Sequence, residues 1–404
     1  YKIGLFNEKA EKFLFQNYPN SLFLKLVSND INNLNIQDAF LLLNGISNVG
    51  PVSARNLIRY FDGDPTAIFR ANKSELFKVN GVGNKIVDSL INPKNLEWLC
   101  SEKKKIENRD ASFISQPDLP SILLEIYDPP IGLYVSGNLT NRPFVSIVGT
   151  RNPTMYGQKQ AREIASYLTE AGFCIVSGMA RGIDTAAHEG ALDAGGPTIA
   201  FLGSGLDIVY PPENINLYQR IIKQGAVISE FPFGRKADRR TFPMRNRLVS
   251  GVAQGVIVVE SASSGGSLIT AQFAADQGRT VFAIPGRIDQ PSSAGCHKLI
   301  REGATLIRSA VDVIKDLRPY MNEEQYLLNF DNDKKETSLE NASFQNLNKS
   351  ELKLVNELKE GEQLSLDELS HRTGLSITET MSHLTLLELN RYIKKYPSGK
   401  YEII

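Results

Sequence analysis

The chain has 404 residues, of which 42% are hydrophobic, and its 45 basic side chains balance its 45 acidic ones. A chain of this length forms more than one domain, and its zero net charge excludes a protein that coats nucleic acid by general positive charge. Three widely spaced cysteines argue against a disulfide scaffold, and no apolar run reaches the roughly 18 residues that cross a bilayer, so we expect a soluble cytoplasmic protein with no membrane partner.

Residues 1–36 show no clear period and stay unassigned, whereas residues 37–110 are predicted to be helical. Two similar phrases, ISNVGPVSARNLI (46–58) and VNGVGNKIVDSLI (79–91), each place a short glycine turn before a helix. They resemble a pair of helix-hairpin-helix motifs of a SAM-like domain, in which backbone N–H groups face a DNA phosphate. Asn48 departs from that motif, which usually has glycine there. The alternative is a small all-α domain whose glycines only turn the chain.

Residues 111–318 are predicted to form a doubly wound, Rossmann-like α/β domain. Short apolar runs alternate with helical segments, and strands that are apolar throughout indicate a parallel sheet covered on both faces. The predicted strands are FVSIVGT, FCIVSG, TIAFLGSG, AVISEF, GVIVVES, TVFAIPG and ATLIRS.

The C-terminal part is predicted to be a polar linker, 319–348, followed by a winged-helix domain, 349–404. Ser365 and Ser376 are plausible N-caps, and Pro397-Ser398-Gly399 is a hairpin turn. The third helix, SITETMSHLTLLELN, has no Lys or Arg, so a protein contact or an accessory role is favoured over duplex recognition.

Glycine and small polar residues follow most of the predicted strands. They include Gly149-Thr150-Arg151, 177–182, Gly203-Ser204-Gly205 and Gly265-Gly266-Ser267. In an open parallel sheet the carboxyl ends of the strands meet in one crevice, where helix N-termini attract phosphate. The segment SEFPFGRKADRRTFPMRNRLVSG (229–251) follows one of these strands and holds six cations and three phenylalanines against two acids. We therefore expect this segment to place positive charges and aromatic rings, on which bases can stack, at that crevice.

The local net charge, and the lack of two nucleotide-binding motifs, indicate the class of ligand. Residues 142–318 contain 20 Lys and Arg against 15 Asp and Glu, a net charge of +5 that the neutral total conceals. The first strand–helix turn lacks G-x-G-x-x-G, and no G-x-x-x-x-G-K-[ST] occurs, which argues against a dinucleotide or a nucleoside triphosphate. Cations interleaved with rings are typical of proteins that bind single-stranded nucleic acid.

Several long motifs in this domain resemble those of the bacterial DNA-processing protein A (Smf) family. They are SIVGTR, SGMARGIDTAAHEGAL, FPFGRKADRRTFPMRNRLVSG, SSGGSLITAQFAADQGRTVFAIPG and GCHKLIREGA, in order through Val145–Ile307. The resemblance implies a single-stranded DNA-binding protein that pairs through this domain, protects DNA taken up in natural transformation and loads the RecA recombinase. The DNA-binding residues implied at matching positions are Arg151, Phe242, Arg245, Asn246, Arg247, Gly266, Ser267 and Thr270.

Other roles stay open for some of these residues. Arg245 and Arg247 could instead cap a helix or pair with Glu230 and Glu260 inside the fold. Arg181 could bind phosphate or pair with a neighbouring acid, Asp184. The run Arg235, Lys236, Arg239 and Arg240 is expected to act by long-range attraction, and Phe231 is expected in the core rather than in a stacking role.

No catalytic, cofactor or metal site is predicted. His188 lies in an alanine-rich helix, and His297 has no third partner at a suitable spacing. The alternative function is a Rossmann-like enzyme of the phosphoribohydrolase type, which cleaves nucleoside monophosphates. Such enzymes resemble this chain at 264–270, but no glutamate follows there, which argues against catalysis.

Overall fold

The computed structural model describes residues 34–317, 347–358, 364–390, 392–396 and 399–403. The chain divides into two compact units, Tyr1–Met321 and Asn322–Ile404. Most of the unassigned N-terminal segment and of the predicted linker therefore lies outside the described residues. Within the described part, no helix has both the length and the apolar character needed to cross a membrane.

The first unit begins with a helical region built on the two glycine turns. Asn48 adopts a left-handed φ of 69°, and Gly81 at the equivalent place in the second turn has a φ of 78°. Asn is among the few residues that tolerate this conformation, so the first turn keeps its shape without glycine. The helices are α1 (Ile36–Gly45), α2 (Pro51–Tyr60), α3 (Pro65–Arg70), α4 (Lys73–Leu76), α5 (Asn84–Leu90) and α6 (Asn95–Asn108).

The unit continues as an α/β domain with nine strands among the described residues. The strands are β1 (Ala111–Ser115), β2 (Gly132–Gly137), β3 (Phe144–Val148), β4 (Cys174–Ser177), β5 (Thr198–Leu202), β6 (Ala226–Ser229), β7 (Gly255–Val258), β8 (Thr280–Ala283) and β9 (Thr305–Leu306). The helices are α7 (Ser121–Leu124), α8 (Met155–Glu170), α9 (Ile183–Asp193), α10 (Ile215–Gln224), α11 (Thr241–Gly251), α12 (Gly266–Asp276), α13 (Ala294–Arg301) and α14 (Ala310–Leu317).

The strand order is β1-β2-β6-β5-β4-β3-β7-β8-β9, and all strands from β6 to β9 in that order run parallel. The central strands are buried on both faces because helices cover each side. The doubly wound sheet is confirmed, and each of the seven predicted strands is present, although the last shrinks to two residues.

Two antiparallel strands at one edge were missing from the sequence prediction. β1 pairs with β2, and β2 pairs with β6 in antiparallel register, with Tyr134 opposite Ser229. Buried residues of the helical region form one continuous core with Tyr134 and with Leu202 and Val227 on the same face of the sheet. The helical region and the sheet are therefore one packed body.

The second unit has the predicted winged-helix elements. They are α15 (Lys349–Leu358), β10 (Leu364–Ser365), α16 (Leu366–Thr373), α17 (Ile377–Leu389), β11 (Ile393–Lys395) and β12 (Lys400–Ile403), with the strands ordered β10-β12-β11. Ser365 and Ser376 both cap their helices in complete capping boxes with Glu368 and Glu379. Pro397 and Ser398 of the predicted hairpin turn lie outside the described residues.

Candidate nucleic-acid interface

The sheet order creates a crevice between the loops that follow β3 and β7. From β3 the chain proceeds outward through β4, β5 and β6, and it then returns to place β7 on the other side of β3. The connections after β3 and β7 therefore leave the sheet toward opposite faces and open a gap between them. Ligands of open α/β sheets bind at such a point.

A protein carboxylate fills the helix N-terminus at this gap. Oε2 of buried Glu260, which follows β7, accepts hydrogen bonds from the backbone N–H of Thr154 (3.0 Å) and from its hydroxyl (3.2 Å). Thr154 is the N-cap of α8, and a Cβ at Gly157 in the first turn would overlap the same carboxylate oxygen. The sequence analysis expected the helix N-termini in this crevice to attract phosphate, but at the N-terminus of α8 the structure has the Glu260 carboxylate.

In the loop after β4, backbone N–H groups also donate to an internal carboxylate. The buried carboxylate of Asp184 accepts from the N–H groups of Gly178 (3.2 Å) and Ala180 (3.3 Å). Burial raises the pKa of Asp184, and the nearby Arg245 opposes that rise. Two of the glycine-rich turns are thus satisfied within the protein.

Arg245 lies beneath the crevice. Its Nη1 donates to the carbonyl of Phe201 at the end of β5 (2.9 Å), and its guanidinium packs where any side chain at Gly178 would clash. Only 5% of Arg245 is exposed, its Nε has no hydrogen-bond partner among the described residues, and burial lowers its pKa. A DNA contact for Arg245 stays a prediction; in this structure it contacts protein groups.

Arg247 is held in an internal ion pair. Its Nη2 donates to both carboxylate oxygens of Glu230 (2.5 and 2.6 Å), and only 3% of its side chain is exposed. Its Nη1 donates to the carbonyl of Asp128 (2.7 Å), and its Nε lies 3.2 Å from the Asp128 carboxylate. The internal pairing that the sequence analysis kept as an alternative therefore describes Arg247 here.

Three exposed or half-buried side chains form a stack on the rim, which we call the stacking group: Arg151, Phe242 and Tyr210. The guanidinium carbon of Arg151 lies 5.0 Å from the centroid of the Phe242 ring, and the Tyr210 ring lies 5.7 Å from it at 47°. Phe242 rests against Gly203, which has no side chain to displace it. The loops after β3 and β5 and the first turn of α11 thus bring together one cation and two rings.

Tyr210 was missed by the sequence analysis. It belongs to the segment DIVYPPEN after β5, where two prolines follow it, and 39% of it is exposed. The exposed Arg181 lies in the loop after β4 and pairs with Glu213, three residues beyond Tyr210, rather than with Asp184. That hydrogen-bonded pair raises the pKa of Arg181 and lowers that of Glu213.

The segment 230–240, which we call the cationic loop, presents positive charge to solvent. Arg235 pairs with Asp238 (2.6 Å), whose other carboxylate oxygen accepts from the N–H groups of Arg240 and Thr241 at the start of α11. Those hydrogen bonds lower the pKa of Asp238. The loop cations, which we define as Lys236, Arg239 and Arg240, are exposed and have no ion-pair partner among the described residues.

The predicted phosphate donors at α12 are only partly available. Gly266 is the exposed first residue of α12, whereas Ser267 is buried and its hydroxyl donates to the hydroxyl of Ser261 (2.8 Å). Thr270 is buried in the same helix, and Asn246 is half-buried on α11. Of Gly266, Ser267, Thr270 and Asn246, only Gly266 is exposed to solvent.

Comparison with known proteins decides the family. A family model described as DNA recombination-mediator protein A matches residues 110–318, just over half of the chain. The chain belongs to this family. A model described as a SAM-like helix-hairpin-helix tandem matches residues 40–92, and one described as the DprA winged helix domain matches residues 341–399.

Individual members of the DNA recombination-mediator protein A family cover most of the chain. Protein Smf of Synechocystis is 32% identical over 392 residues, which are 91% of this chain and 98% of that protein. The crystal structure of DNA processing protein A from Streptococcus pneumoniae is 34% identical, covers 70% of this chain and 98% of its own, and superposes with a TM-score of 0.59.

A structure of DNA processing protein A from Helicobacter pylori is described by its single-stranded DNA binding mode. It is 31% identical and covers 52% of this chain and 97% of its own, with a TM-score of 0.49.

In the described part of our structure, no group of three or more His, Cys, Asp or Glu side chains is arranged to hold a metal ion.

Proposed function

We propose that this protein binds single-stranded DNA at the carboxyl edge of its α/β sheet, protects the bound strand and delivers it to the RecA recombinase. The observation that carries the proposal is the stacking group, which lies on the rim that the loop cations also share. Family membership supports DNA as the polymer. Exposed rings support an unpaired strand, because the bases of a duplex have no free face to stack on a side chain.

In this proposal the rings stack on bases, and the loop cations bind the phosphates. They have no internal acid to satisfy them, so phosphates can pair with them without breaking an ion pair. Each phosphate that is neutralised releases condensed counterions, which makes binding weaken as salt rises. Arg151 contributes to both effects, since it is a cation that lies over the Phe242 ring.

Two internal carboxylates make this site different from a nucleotide-binding pocket. Glu260 accepts the N–H group of Thr154, and Asp184 accepts those of Gly178 and Ala180, so these three N–H groups are not available to a phosphate. The proposed strand therefore lies across the rim and contacts side chains and the open backbone at Gly266. Arg245 and Arg247 support the rim from below through the contacts they make with Phe201 and Glu230.

Pairing of two copies through the α/β domain and loading of RecA belong to the same proposal. Their support is the family membership. The protein acts without catalysis in this proposal, and support for that part is the stretch 264–270, which no glutamate follows.

The test is a comparison of single-stranded and double-stranded oligonucleotides by fluorescence anisotropy over a salt series. We expect preference for the single strand and a slope of log affinity against log salt of about −0.7 for each phosphate contacted. The variant Arg151→Ala with Phe242→Ala should lose most of the affinity for every sequence alike. Lys223 is an exposed cation on α10 that lies just before the amino end of β6, away from the proposed site, and Lys223→Ala should bind as the wild type does.

Two further measurements complete the test. Assembly of RecA on the same oligonucleotide should be faster with the wild-type protein than with the double variant. Incubation with nucleoside monophosphates should release no free base. Equal affinity for both DNA forms, or an unchanged double variant, would contradict the proposal.

A further inference from the structure

The cationic loop starts in direct contact with the helical region. Oε1 of Glu102 on α6 accepts a hydrogen bond from the backbone N–H of Phe233 (2.8 Å), and the Glu102 side chain is completely buried. Its second oxygen lies 3.0 Å from Nζ of Lys105 on the same helix. Burying a carboxylate costs free energy unless it is paired and hydrogen-bonded, and here its partners are one lysine and the loop backbone.

A second contact holds the residue at which the loop begins. Nδ2 of Asn44 at the end of α1 donates to the carbonyl of Glu230 (2.9 Å). The side chain of Glu230 is bound by Arg247, so this residue is fixed through its backbone by the helical region and through its carboxylate by α11.

Ring packing reinforces the two hydrogen bonds. The Phe233 ring meets the Tyr134 ring edge-on, with 5.5 Å between centroids, and the guanidinium of Arg109 lies 5.7 Å from the Phe233 centroid. Burial, and then the charge of the Glu102 carboxylate, raise the pKa of Tyr134.

The sheet side of the loop is held where the chain approaches the crevice. Oδ1 of Asp207 accepts from the N–H of Gly234 (2.9 Å), and the N–H of Gly205 donates to the carbonyl of Arg235 (2.8 Å). Up to Arg235 the backbone is anchored from both sides, and the loop cations follow directly after that anchor.

We propose that Glu102 and Asn44 are positioning residues of the nucleic-acid site: they hold the start of the cationic loop so that the loop cations face the bound strand. This inference rests on the proposed function for its ligand, but the anchoring itself can be measured without DNA. The helical region then contributes to binding at the sheet edge although it supplies no residue to the stacking group.

The first experiment is limited trypsin digestion of the full chain without DNA, read by mass spectrometry. The loop offers cleavage sites after Arg235, Lys236, Arg239 and Arg240. We expect Glu102→Ala and Asn44→Ala each to speed cleavage at these sites by about tenfold while the rest of the digest stays unchanged. Glu102→Gln, which keeps an oxygen acceptor, should resemble the wild type. Glu107→Ala, an exposed acid on the same helix, is the matched control.

The second experiment measures single-stranded DNA binding of the same variants over a salt series. Glu102→Ala and Asn44→Ala should weaken binding about three- to tenfold and reduce the salt slope by about one to two phosphates, whereas Glu102→Gln should restore both. A purely structural role would leave the slope unchanged in the folded fraction. If Glu102→Ala does not fold, Asn44→Ala and Glu102→Gln decide the question.

The outcomes separate the two proposals. Unchanged loop cleavage in Asn44→Ala, or faster cleavage throughout the chain, overturns the anchoring role. Faster loop cleavage with unchanged DNA binding overturns the link to the nucleic-acid site. If Arg151→Ala with Phe242→Ala also leaves DNA binding unchanged, the proposed function fails, and the digestion still decides whether the loop is anchored.

Discussion

The carboxylate of Glu260 accepts both the backbone N–H and the hydroxyl of Thr154, so the protein itself fills the N-terminus of α8 at the gap in the sheet order. In nucleotide-binding proteins that have a doubly wound sheet, a ligand phosphate takes that place. Here the Glu260 carboxylate takes that place, so we expect the phosphates of the proposed strand to be bound by side chains on the rim.

The space for the Glu260 carboxylate depends on Gly157. A methyl group at this position would overlap Oε2 of Glu260 and displace it from the N–H of Thr154. We expect Gly157→Ala to lower the free energy of unfolding by about 1–3 kcal/mol, measured by urea denaturation. In Gly266→Ala the added methyl meets no atom within 4 Å, so stability should stay within about 0.5 kcal/mol. Equal stability of the two variants would contradict this prediction.

The Phe242 ring is expected to stack on a DNA base. Phe242→Ala should weaken single-stranded DNA binding by about 1–3 kcal/mol, the usual contribution of one stacked base, and Tyr210→Ala should have a smaller effect in the same direction. Phe242→Tyr keeps the ring and should bind within about twofold of the wild type. Because stacking is insensitive to base identity, the loss should be similar for poly-dT and mixed-sequence strands. Anisotropy titrations at one salt concentration measure all of these values, and a loss confined to one sequence would argue against stacking.

Arg247 is expected to act mainly on stability. Arg247→Ala would leave Glu230 buried without its partner, which costs about 3–5 kcal/mol of unfolding free energy. Replacing both partners, as in Arg247→Met with Glu230→Leu, should recover much of that loss because no buried charge remains. Thermal and urea unfolding measure the difference. If the folded double variant binds single-stranded DNA as the wild type does, Arg247 makes no necessary contact with the strand. If binding is lost, trypsin digestion of the cationic loop separates a lost anchor at Glu230 from a lost DNA contact of Arg247.

The burial of His188 is expected to make the free energy of unfolding depend on pH. Its Nδ1 lies 2.8 Å from the Thr198 hydroxyl, which donates its own hydrogen to the carbonyl of Ile175, so Nδ1–H is the donor. Burial, with a smaller effect of Arg245, lowers the pKa of His188 to about 3. The unfolded chain takes up a proton below about pH 6.5 and the folded chain does not, so stability falls as the pH drops from 6.5 toward 3.

The slope of that loss from His188 should be up to about 1.4 kcal/mol per pH unit. His188→Asn keeps a donor near the position of Nδ1 and removes the titration. The difference in unfolding free energy between wild type and His188→Asn should therefore shrink or change sign between pH 6.5 and pH 4, in favour of the variant. A difference that stays constant over this range would show that His188 takes up its proton equally in both states.

Much of the fold follows from local pattern. Apolar runs such as 255–261 and the helices between them predict the parallel sheet, because a strand buried on both faces must be apolar along its whole length. The edge strands β1 and β2 were missed because β2 joins the sheet only by pairing with β6, far along the chain (Tyr134 opposite Ser229), and β1 joins it only through β2. Asn48 was considered a departure from the hairpin motif, although its left-handed φ preserves the turn.

The sequence by itself determined that cations and rings gather in segment 229–251 and that glycine turns follow the strands, since both are properties of neighbouring residues. Only the tertiary structure decided which of those groups reach solvent. Arg245 is buried against Phe201, which lies outside that segment, and Arg247 against Glu230 within it. Arg151, Tyr210 and Phe242 converge from two loops and the first turn of α11. Whether a charge is paired or free depends on partners brought close by the sheet order, and no local pattern specifies them.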